Sequence, residues 1–271
     1  PDATIHALVR ETSRAAFLTM LDDLDAGDRV TPVVGDLTAP GLGIAPDTVP
    51  AIDHVIHLAA VYDMAADAES QRAANVVGTS RAADFAIAHD ALFHHVSSIA
   101  VAGDHRGRFT EMDFEVGQGF PTAYHRTKFE AERVVREREG LRWRVYRPSI
   151  VVGDSRTGEM DKIDGPYYFF GHLATLGRLP SMLRLPMPDL GTLNIVPVDY
   201  VAAAMVALLG VNPTRSGLVF HLSDPKSLTT TEMYNALAPA FKAPKGFDAI
   251  PRAAVEPVMT LSGMGIARVG R

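Results

Sequence analysis

PTAYHRTKFEAERVVRERE (121–139) is the stretch from which the rest of the chain is best interpreted. Its polar and apolar spacing predicts a helix, on which residues four apart lie one above the other, so Tyr124 and Lys128 share a face. A phenol has a pKa of about 10 in water. A fixed ammonium nearby favours the phenolate and lowers that pKa. The pair is therefore a candidate general acid/base, although the same spacing also occurs on solvated helices, and its surroundings must decide.

The composition excludes several classes of protein. The chain has 271 residues, enough for one large α/β domain with a sizeable core, and a net charge of -6, which argues against nucleic acid as a main partner. The absence of cysteine excludes disulfides, thiolate metal sites and cysteine nucleophiles, and fits a reducing compartment. The longest apolar stretch, near 200–210, is too short to span a bilayer. We predict a cytoplasmic protein with no membrane span.

Predicted strands and helices alternate over the first part of the chain. The predicted strands are 3–10, 29–37, 53–60, 91–103 and 143–153, and the helices between them are 12–24, 66–90 and 121–139. Such alternation predicts an α/β fold with a doubly wound, Rossmann-like parallel sheet. In these sheets ligands bind outside the carboxyl ends of the strands.

The alternation breaks after residue 154, which predicts a small mixed part that binds substrate. Residues 194–210 are predicted as a helix and 218–224 as a strand, and Thr229-x-x-Glu232 predicts a capped helix start. We predict a division into a dinucleotide-binding domain and a substrate-binding part. The former comprises 1–155 and about 193–224, and the latter about 156–192 and 225–271.

The glycine-rich loop of a dinucleotide-binding fold is missing from its usual place. Such a loop follows the first strand, yet the strand at 3–10 is followed by Glu11-Thr12-Ser13-Arg14. We expect residues 3–10 to be the second strand of the fold, with the first strand, its loop and its helix preceding Pro1. The alternative is an atypical fold without such a loop.

Several motifs occur in an order that resembles the extended short-chain dehydrogenase/reductases over residues 1 to about 240. They are Val9-Arg10, Gly35-Asp36-Leu37, His57-Leu58-Ala59-Ala60, Asn75, Val96-Ser97-Ser98, Tyr124 with Lys128, and Arg147-Pro148-Ser149. Within that family, AAVYDM, HHVSSIA, GEMDKIDGPYYFF and LNIVPVDYV are similar to the amino-terminal reductase domain of bacterial, alcohol-forming fatty acyl-CoA reductases. That resemblance implies a second reductase domain beyond the carboxyl end, and homodimers through surface helices are common in the family.

The resemblance implies roles for five polar residues. Tyr124 is the proton donor, and Lys128 tunes it and holds the nicotinamide ribose. Ser98 is the better candidate for hydrogen bonding to the substrate oxygen, with Ser97 nearer the cofactor backbone, although both hydroxyls also suit strand ends. Asn75 either completes a proton relay or holds a helix to a strand.

The cofactor choice depends on the end of the strand at 3–10. An arginine there suits the 2′-phosphate of NADPH, whereas an acidic residue suits the ribose hydroxyl of NADH. Arg10 occupies the place, with Arg14 one turn further on, and this favours NADPH. The acidic Glu11 beside Arg10 argues for NADH instead. The resemblance assigns further cofactor contacts to the adenine (Asp36, Leu37), the ribose side (Leu58, Ala59, Ala60) and the nicotinamide (Pro148).

The resemblance implies reduction of a fatty acyl-CoA thioester, a fatty aldehyde or both, by hydride from NADPH. Tyr167 to Phe170, Leu173 and Leu176 either line an apolar tunnel or simply pack the core. No metal site is expected, because the neighbouring His94 and His95 point apart on a strand. One alternative is a sugar epimerase or dehydratase, or a steroid or dihydroflavonol-type reductase. Another is a non-catalytic NADP-binding sensor.

Overall fold

The described residues form two compact units. The computed structural model describes residues 3–45, 48–60, 69, 72–160, 167, 169–212 and 214–254. The first unit comprises Pro1–Ser97, Ala123–Tyr146 and Thr214–Val219. The second comprises Ser98–Thr122, Arg147–Pro213 and Phe220–Arg271. These units are defined by packing alone, and the division into dinucleotide-binding and substrate-binding parts stays a prediction.

The first unit holds parallel strands with helices between them. Its strands are β1 (Ile5–Val9), β2 (Val30–Val34), β3 (His54–His57), β4 (Leu92–Val96) and the start of β5 (Trp143–Pro148). Its helices are α1 (Arg14–Asp23), α2 (Gly78–Ala88) and α3 (Ala123–Glu137), and a π-helical turn, Ala73–Val77, leads into α2. The predicted Rossmann-like parallel arrangement is confirmed.

Strand pairing among the described residues of this unit leaves β1 and β3 with one neighbour each. β1 pairs with β2, and β3 pairs with β4, which pairs with β5, all in parallel. Within the described ranges, the strand order is β1-β2 in one sheet and β10-β5-β4-β3 in the other, where β10 is Leu218–Leu222. A further strand preceding Pro1 stays a prediction.

Small side chains let α2 approach the sheet closely. Ala82, Ala83 and Ala86 are buried and pack in one cluster with Phe93 of β4 and Val135 of α3. Gly78, at the start of α2, lies so close to Leu37 that an added Cβ would stand 2.8 Å from the leucine side chain. A larger residue at position 78 would therefore require the Leu37 side chain to move.

The second unit contains short strands and three helices among its described residues. The strands pair as β6 (Ile150–Val152) with β9 (Ile195–Pro197), β7 (Arg184–Pro188) with β12 (Lys245–Ile250), and β8 (Thr192–Leu193) with β11 (Leu228–Thr229). The helices are α4 (Phe169–Leu176), α5 (Val198–Leu209) and α6 (Thr230–Leu237). No helix in the described ranges is long and apolar enough to cross a membrane.

The predicted capping box starts α6. The Thr229 hydroxyl accepts the Glu232 amide at 3.0 Å, and the Glu232 carboxylate accepts the Thr229 amide at 2.8 Å. Each contact satisfies an amide that the helix itself cannot pair, and such a cap contributes about 1 kcal/mol. The sequence prediction is confirmed at this helix.

Three of the differences between predicted and observed element boundaries have a reason that the structure shows. The strand predicted over 91–103 ends at Val96, because the Ser98 hydroxyl accepts the Ala100 amide and starts a 3-10 turn. The strand predicted over 143–153 is broken at Ser149 into β5 and β6. The helix predicted over 194–210 begins only at Val198, since residues 195–197 pair with β6.

Candidate active site

Helix α3 presents Tyr124 and Lys128 one turn apart. Tyr124 is the second residue of the helix and is half-buried, whereas Lys128 is only 5% exposed. Thr127, Phe129 and Ala131 are buried as well, so the helix is covered over a wide arc around Lys128. The i, i+4 relation that the sequence predicts is therefore realised on one helix.

The Lys128 ammonium is fixed at the end of β4. Its Nζ donates a hydrogen bond to the Val96 carbonyl at 2.9 Å. Burial lowers the pKa of Lys128 from 10.5 to about 8, against the opposing effect of the Glu132 carboxylate. Lys128 is therefore still mostly charged at neutral pH, as a lysine that tunes a neighbouring phenol must be.

Two buried histidines flank Lys128 in neutral form. Burial, and then the charge of Lys128, lower the pKa of His57 to about 4. The same causes hold the pKa of His95 well below 6.5, and the two rings stack with centroids 5.6 Å apart. Neither nitrogen of His95 has a hydrogen-bond partner in the described part of the chain. Because both imidazoles are uncharged at neutral pH, Lys128 carries the positive charge of this cluster.

The preceding histidine on β4 faces a separate set of partners. His94 bonds to His54 at 3.0 Å and to the Tyr146 hydroxyl at 2.8 Å, whereas His95 stacks on His57. His94 and His95 thus point apart, as strand alternation predicts. The described residues contain no group of three or more side chains arranged to hold a metal ion.

Asn75 joins the π-helical turn to α3. Its amide nitrogen donates to the Thr127 hydroxyl at 3.2 Å, and that hydroxyl donates to the Tyr124 carbonyl at 3.1 Å. The backbone carbonyl of Asn75 accepts the Thr79 hydroxyl at 2.6 Å, and that hydroxyl also bonds to His57 at 2.9 Å. These contacts favour the role of holding elements together, and the relay role stays a prediction. Sequence reasoning missed Thr127, although it lies next to Lys128.

The adjacent serines Ser97 and Ser98 make different contacts. Ser97 is buried and its hydroxyl donates to the Glu132 carboxylate at 2.7 Å, so its side chain is engaged by α3. Ser98 is half-buried and uses an oxygen lone pair to accept the Ala100 amide at 3.2 Å. That contact leaves the Ser98 hydroxyl proton for another acceptor. The roles predicted for both serines stay predictions.

Glu132 is a second residue of the candidate site that sequence reasoning missed. It follows Lys128 by one helical turn and is 0% exposed, with Arg136 donating to it at 2.8 Å. The sequence feature that could have identified Glu132 is its i, i+4 spacing from Lys128. A glutamate in a helix with many charged residues is, however, ordinarily expected to be exposed to solvent.

The predicted cofactor residues of the first unit follow the carboxyl ends of its strands. Arg10 is exposed after β1, and Leu58 is 63% exposed after β3. Asp36, after β2, accepts the Thr38 hydroxyl and amide at 2.7 Å, and these bonds, aided by Arg10, lower its pKa. The cofactor contacts expected of Arg10, Asp36 and Leu58 stay predictions.

The remaining predicted contacts differ in exposure. Ala59 and Ala60 are exposed beyond β3, whereas Leu37 packs against Gly78. Pro148, at the end of β5, is buried and belongs, like Ser98, to the second unit. Their cofactor contacts stay predictions.

An apolar cavity of about 320 Å³ lies within the second unit. Of the predicted tunnel residues, Phe169, Leu173 and Leu176 line it, whereas Phe170 packs on Phe241 with ring centroids 5.2 Å apart. The Tyr167 hydroxyl accepts the Gly153 amide at 2.8 Å. Tyr168 lies outside the described residues. Members of the run therefore either line this cavity or make other contacts, and the tunnel stays a prediction. The other lining residues are His172, Met187, Pro188, Leu190, Thr230, Met233, Tyr234 and Leu237.

The profile of the family described as "Male sterility protein", an NAD-binding family, matches residues 2–205. The chain belongs to this family. Membership in the Male sterility protein family places the chain among the extended short-chain dehydrogenase/reductases, as its motifs predict.

Relatives of this member of the Male sterility protein family are much longer than the chain itself. It is 27% identical over 258 residues to a linear gramicidin synthase of Brevibacillus parabrevis, covering 87% of this chain and 5% of that protein. It is 29% identical over 203 residues to the large subunit of the L-2-aminoadipate reductase of Candida glabrata, covering 67% and 14%. The chain thus spans a small part of these relatives.

Solved structures of similar fold agree with the family. The terminal R domain from the myxalamid PKS-NRPS biosynthetic pathway is 27% identical, with a TM-score of 0.73 over 99% of this chain and 70% of that one. The dTDP-glucose 4,6-dehydratase DesIV from Streptomyces venezuelae is 22% identical, with a TM-score of 0.67 over 94% and 77%. The latter likeness concerns the fold alone.

Proposed function

We propose that this chain is an NADPH-dependent reductase that converts an acyl thioester into an aldehyde. The observation that carries the proposal is the buried Lys128 ammonium, fixed by the Val96 carbonyl one helical turn from Tyr124. Reduction of a carbonyl needs a proton donor at its oxygen, and a phenol tuned by an ammonium is such a donor. The names of the aminoadipate reductase and R-domain relatives support the same class of reaction.

The residues of this chain would divide the work as follows. NADPH, when bound, supplies a hydride to the carbonyl carbon. Tyr124 gives its phenolic proton to the carbonyl oxygen, and Ser98 donates a hydrogen bond to that oxygen as negative charge develops. The resulting hemithioacetal breaks its C–S bond and releases a thiol and an aldehyde, so one NADPH and one proton are consumed. A second round on the aldehyde would yield an alcohol.

The thioester is proposed to reach the site on a phosphopantetheine arm. Coenzyme A and acyl carrier domains both carry that arm, and the fatty acyl-CoA expected from the sequence is one of the two sources. The similarity to a terminal R domain of a PKS-NRPS pathway favours the carrier-bound source. The apolar cavity of the second unit suits an acyl chain of low polarity.

The first experiment compares the two thioester sources in the full-length protein. The same octanoyl group is offered on coenzyme A and on a phosphopantetheinylated carrier domain, and NADPH consumption and trapped aldehyde are measured. We expect turnover of both, with kcat/KM at least about tenfold higher for the carrier, equivalent to about 1.4 kcal/mol of extra recognition. Preference for the CoA ester would restore the fatty acyl-CoA assignment. Tightly bound NAD with no turnover of either thioester would overturn the reductase proposal in favour of an epimerase.

Cofactor choice is tested at Arg10. Arg10→Ser is expected to raise KM for NADPH about tenfold or more, because a charged hydrogen bond to the 2′-phosphate contributes about 1.5–3 kcal/mol. KM for NADH should stay unchanged. Arg29→Ser is the matched control, since Arg29 is an exposed arginine that directly precedes β2, at the amino end of that strand. An equal loss with both cofactors would contradict recognition of the phosphate by Arg10.

A further inference from the structure

Glu132 is a fully buried carboxylate with partners on two elements of the fold. Its Oε2 accepts the Ser97 hydroxyl at 2.7 Å, and its Oε1 accepts Nε of Arg136 at 2.8 Å. Arg136 also lies 5.3 Å above the Trp143 ring, which limits its freedom. Burial of a carboxylate is costly unless hydrogen bonds and charges compensate it. The arrangement therefore implies a role for the negative charge at this place.

Helix α3 holds two consecutive residues at the end of β4. Lys128 donates to the Val96 carbonyl at 2.9 Å, and Glu132, one turn further on, accepts the Ser97 hydroxyl. The Ser97 amide donates to the Tyr146 carbonyl at 2.8 Å, so β5 holds the same residue from the other side. The residue that follows in the chain is Ser98. The strand end that leads to a proposed oxyanion donor is thus held by the helix that carries the proposed acid.

The charges around Lys128 come from three elements. Among the described groups that affect or face it, His57 on β3 and His95 on β4 are buried and neutral at pH 7. Glu132 on α3 is the group of this set that stabilises the ammonium. Arg136 offsets part of the carboxylate charge but lies on the far side of it, one more turn along the helix. The cationic form of Lys128 therefore depends on Glu132.

We propose that Glu132 is a positioning residue, which keeps Lys128 cationic in its buried place and holds the end of β4 against α3. The use of Lys128 in catalysis rests on the proposed function. The charge state of Lys128 does not, and it can be measured without substrate or cofactor. A Lys128 without Glu132 would titrate at lower pH, and the Tyr124 phenol would lose its cationic neighbour under working conditions.

The test follows the ionisation of Lys128 by NMR in the full-length protein labelled with ¹³C at lysine Cε. The 271 residues include five lysines, and the Lys128 signal is the one that disappears in Lys128→Met. Its midpoint is expected at about pH 8. Glu132→Gln keeps the length and an acceptor for Ser97 but removes the charge. It should lower the Lys128 midpoint by about one pH unit or more, a tenfold loss of proton affinity.

Glu130→Gln is the matched control on the same helix. Glu130 is partly exposed and lies 3.5 Å from Arg72. Its removal should leave the Lys128 midpoint unchanged. Equal midpoints in wild type, Glu130→Gln and Glu132→Gln would overturn the proposal. In the active enzyme, the basic limb of the kcat/KM profile should move to lower pH in Glu132→Gln alone.

Ser97→Ala tests the same positioning role if Glu132→Gln fails to fold. Ser97→Ala keeps the carboxylate and removes the hydrogen bond to the strand end. It should lower kcat severalfold while KM and the Lys128 midpoint stay near the wild-type values; an unchanged kcat would overturn the positioning role. A lower Lys128 midpoint in Glu132→Gln, in a protein whose wild type reduces no thioester, would support the positioning role of Glu132 and refute the proposed function.

Discussion

Tyr124→Phe is expected to lower kcat for thioester reduction by about 10²–10⁴-fold, the usual contribution of a positioned general acid. The substitution removes one hydroxyl and leaves the aromatic ring, which packs edge-on against His125. Because the proton is needed only as the carbonyl oxygen gains charge, KM and NADPH affinity should change little. The measurements are steady-state kinetics with the carrier-bound thioester and a fluorescence titration with NADPH.

The matched control for Tyr124→Phe is Tyr200→Phe. Tyr200 lies in α5 and is 42% exposed, so its hydroxyl is expected to contribute nothing to the reaction. Full activity of Tyr124→Phe would refute the proposed acid and revive the alternative of a non-catalytic NADP-binding sensor. Loss of NADPH binding together with activity would assign Tyr124 to cofactor recognition instead.

Lys128→Met is expected to lower kcat by about 10²-fold or more while leaving the protein folded. At neutral pH the buried ammonium destabilises the folded state. A pKa lowered from 10.5 to about 8 corresponds to a loss of about 3 kcal/mol in the free energy of unfolding. Methionine has a similar length and no charge to desolvate, although the Val96 carbonyl then lacks its donor at about 1 kcal/mol. The free energy of unfolding at pH 7 should therefore be equal or higher in the variant.

The difference in stability between wild type and Lys128→Met is expected to depend on pH. The folded pKa of Lys128 lies below the unfolded value, so the unfolded chain binds the proton more tightly and the penalty is complete below about pH 8. As pH rises from 8 to 10.5 the penalty disappears, and wild type should gain stability relative to Lys128→Met. Urea unfolding at several pH values measures this, with the exposed Lys226→Met as control. A variant that is unfolded at pH 7, or fully active, would contradict the assignment.

The sequence predicts elements whose signals are local. The helix expected over 121–139 spans Ala123–Glu137, and the Thr229 capping box starts α6 at the predicted position. Both depend on spacing within one segment, which sequence reasoning reads directly. The sequence prediction extends β4 too far, because the side chain of Ser98 starts a new turn within an apolar run.

The unpredicted part of the site comes from contacts between distant segments. Glu132 lies in a helix with many charged residues, and its burial depends on Ser97, which lies 35 positions earlier in the chain. The neutral state of His57 likewise depends on its place beside Lys128 on another element. Spacing rules describe which face of a helix is buried, but not which charged residue on that face finds partners.

The two compact units are interleaved along the chain, and this has a consequence for biosynthesis. The first unit takes residues from Pro1–Ser97, Ala123–Tyr146 and Thr214–Val219. During translation, the first unit is therefore complete only after Val219 has left the ribosome. By then a large part of the second unit has already emerged. Neither unit can be cut out as one continuous gene fragment. Truncation libraries should accordingly yield insoluble products for end points between Pro148 and Gly217, where β5 has been made and its neighbour β10 has not.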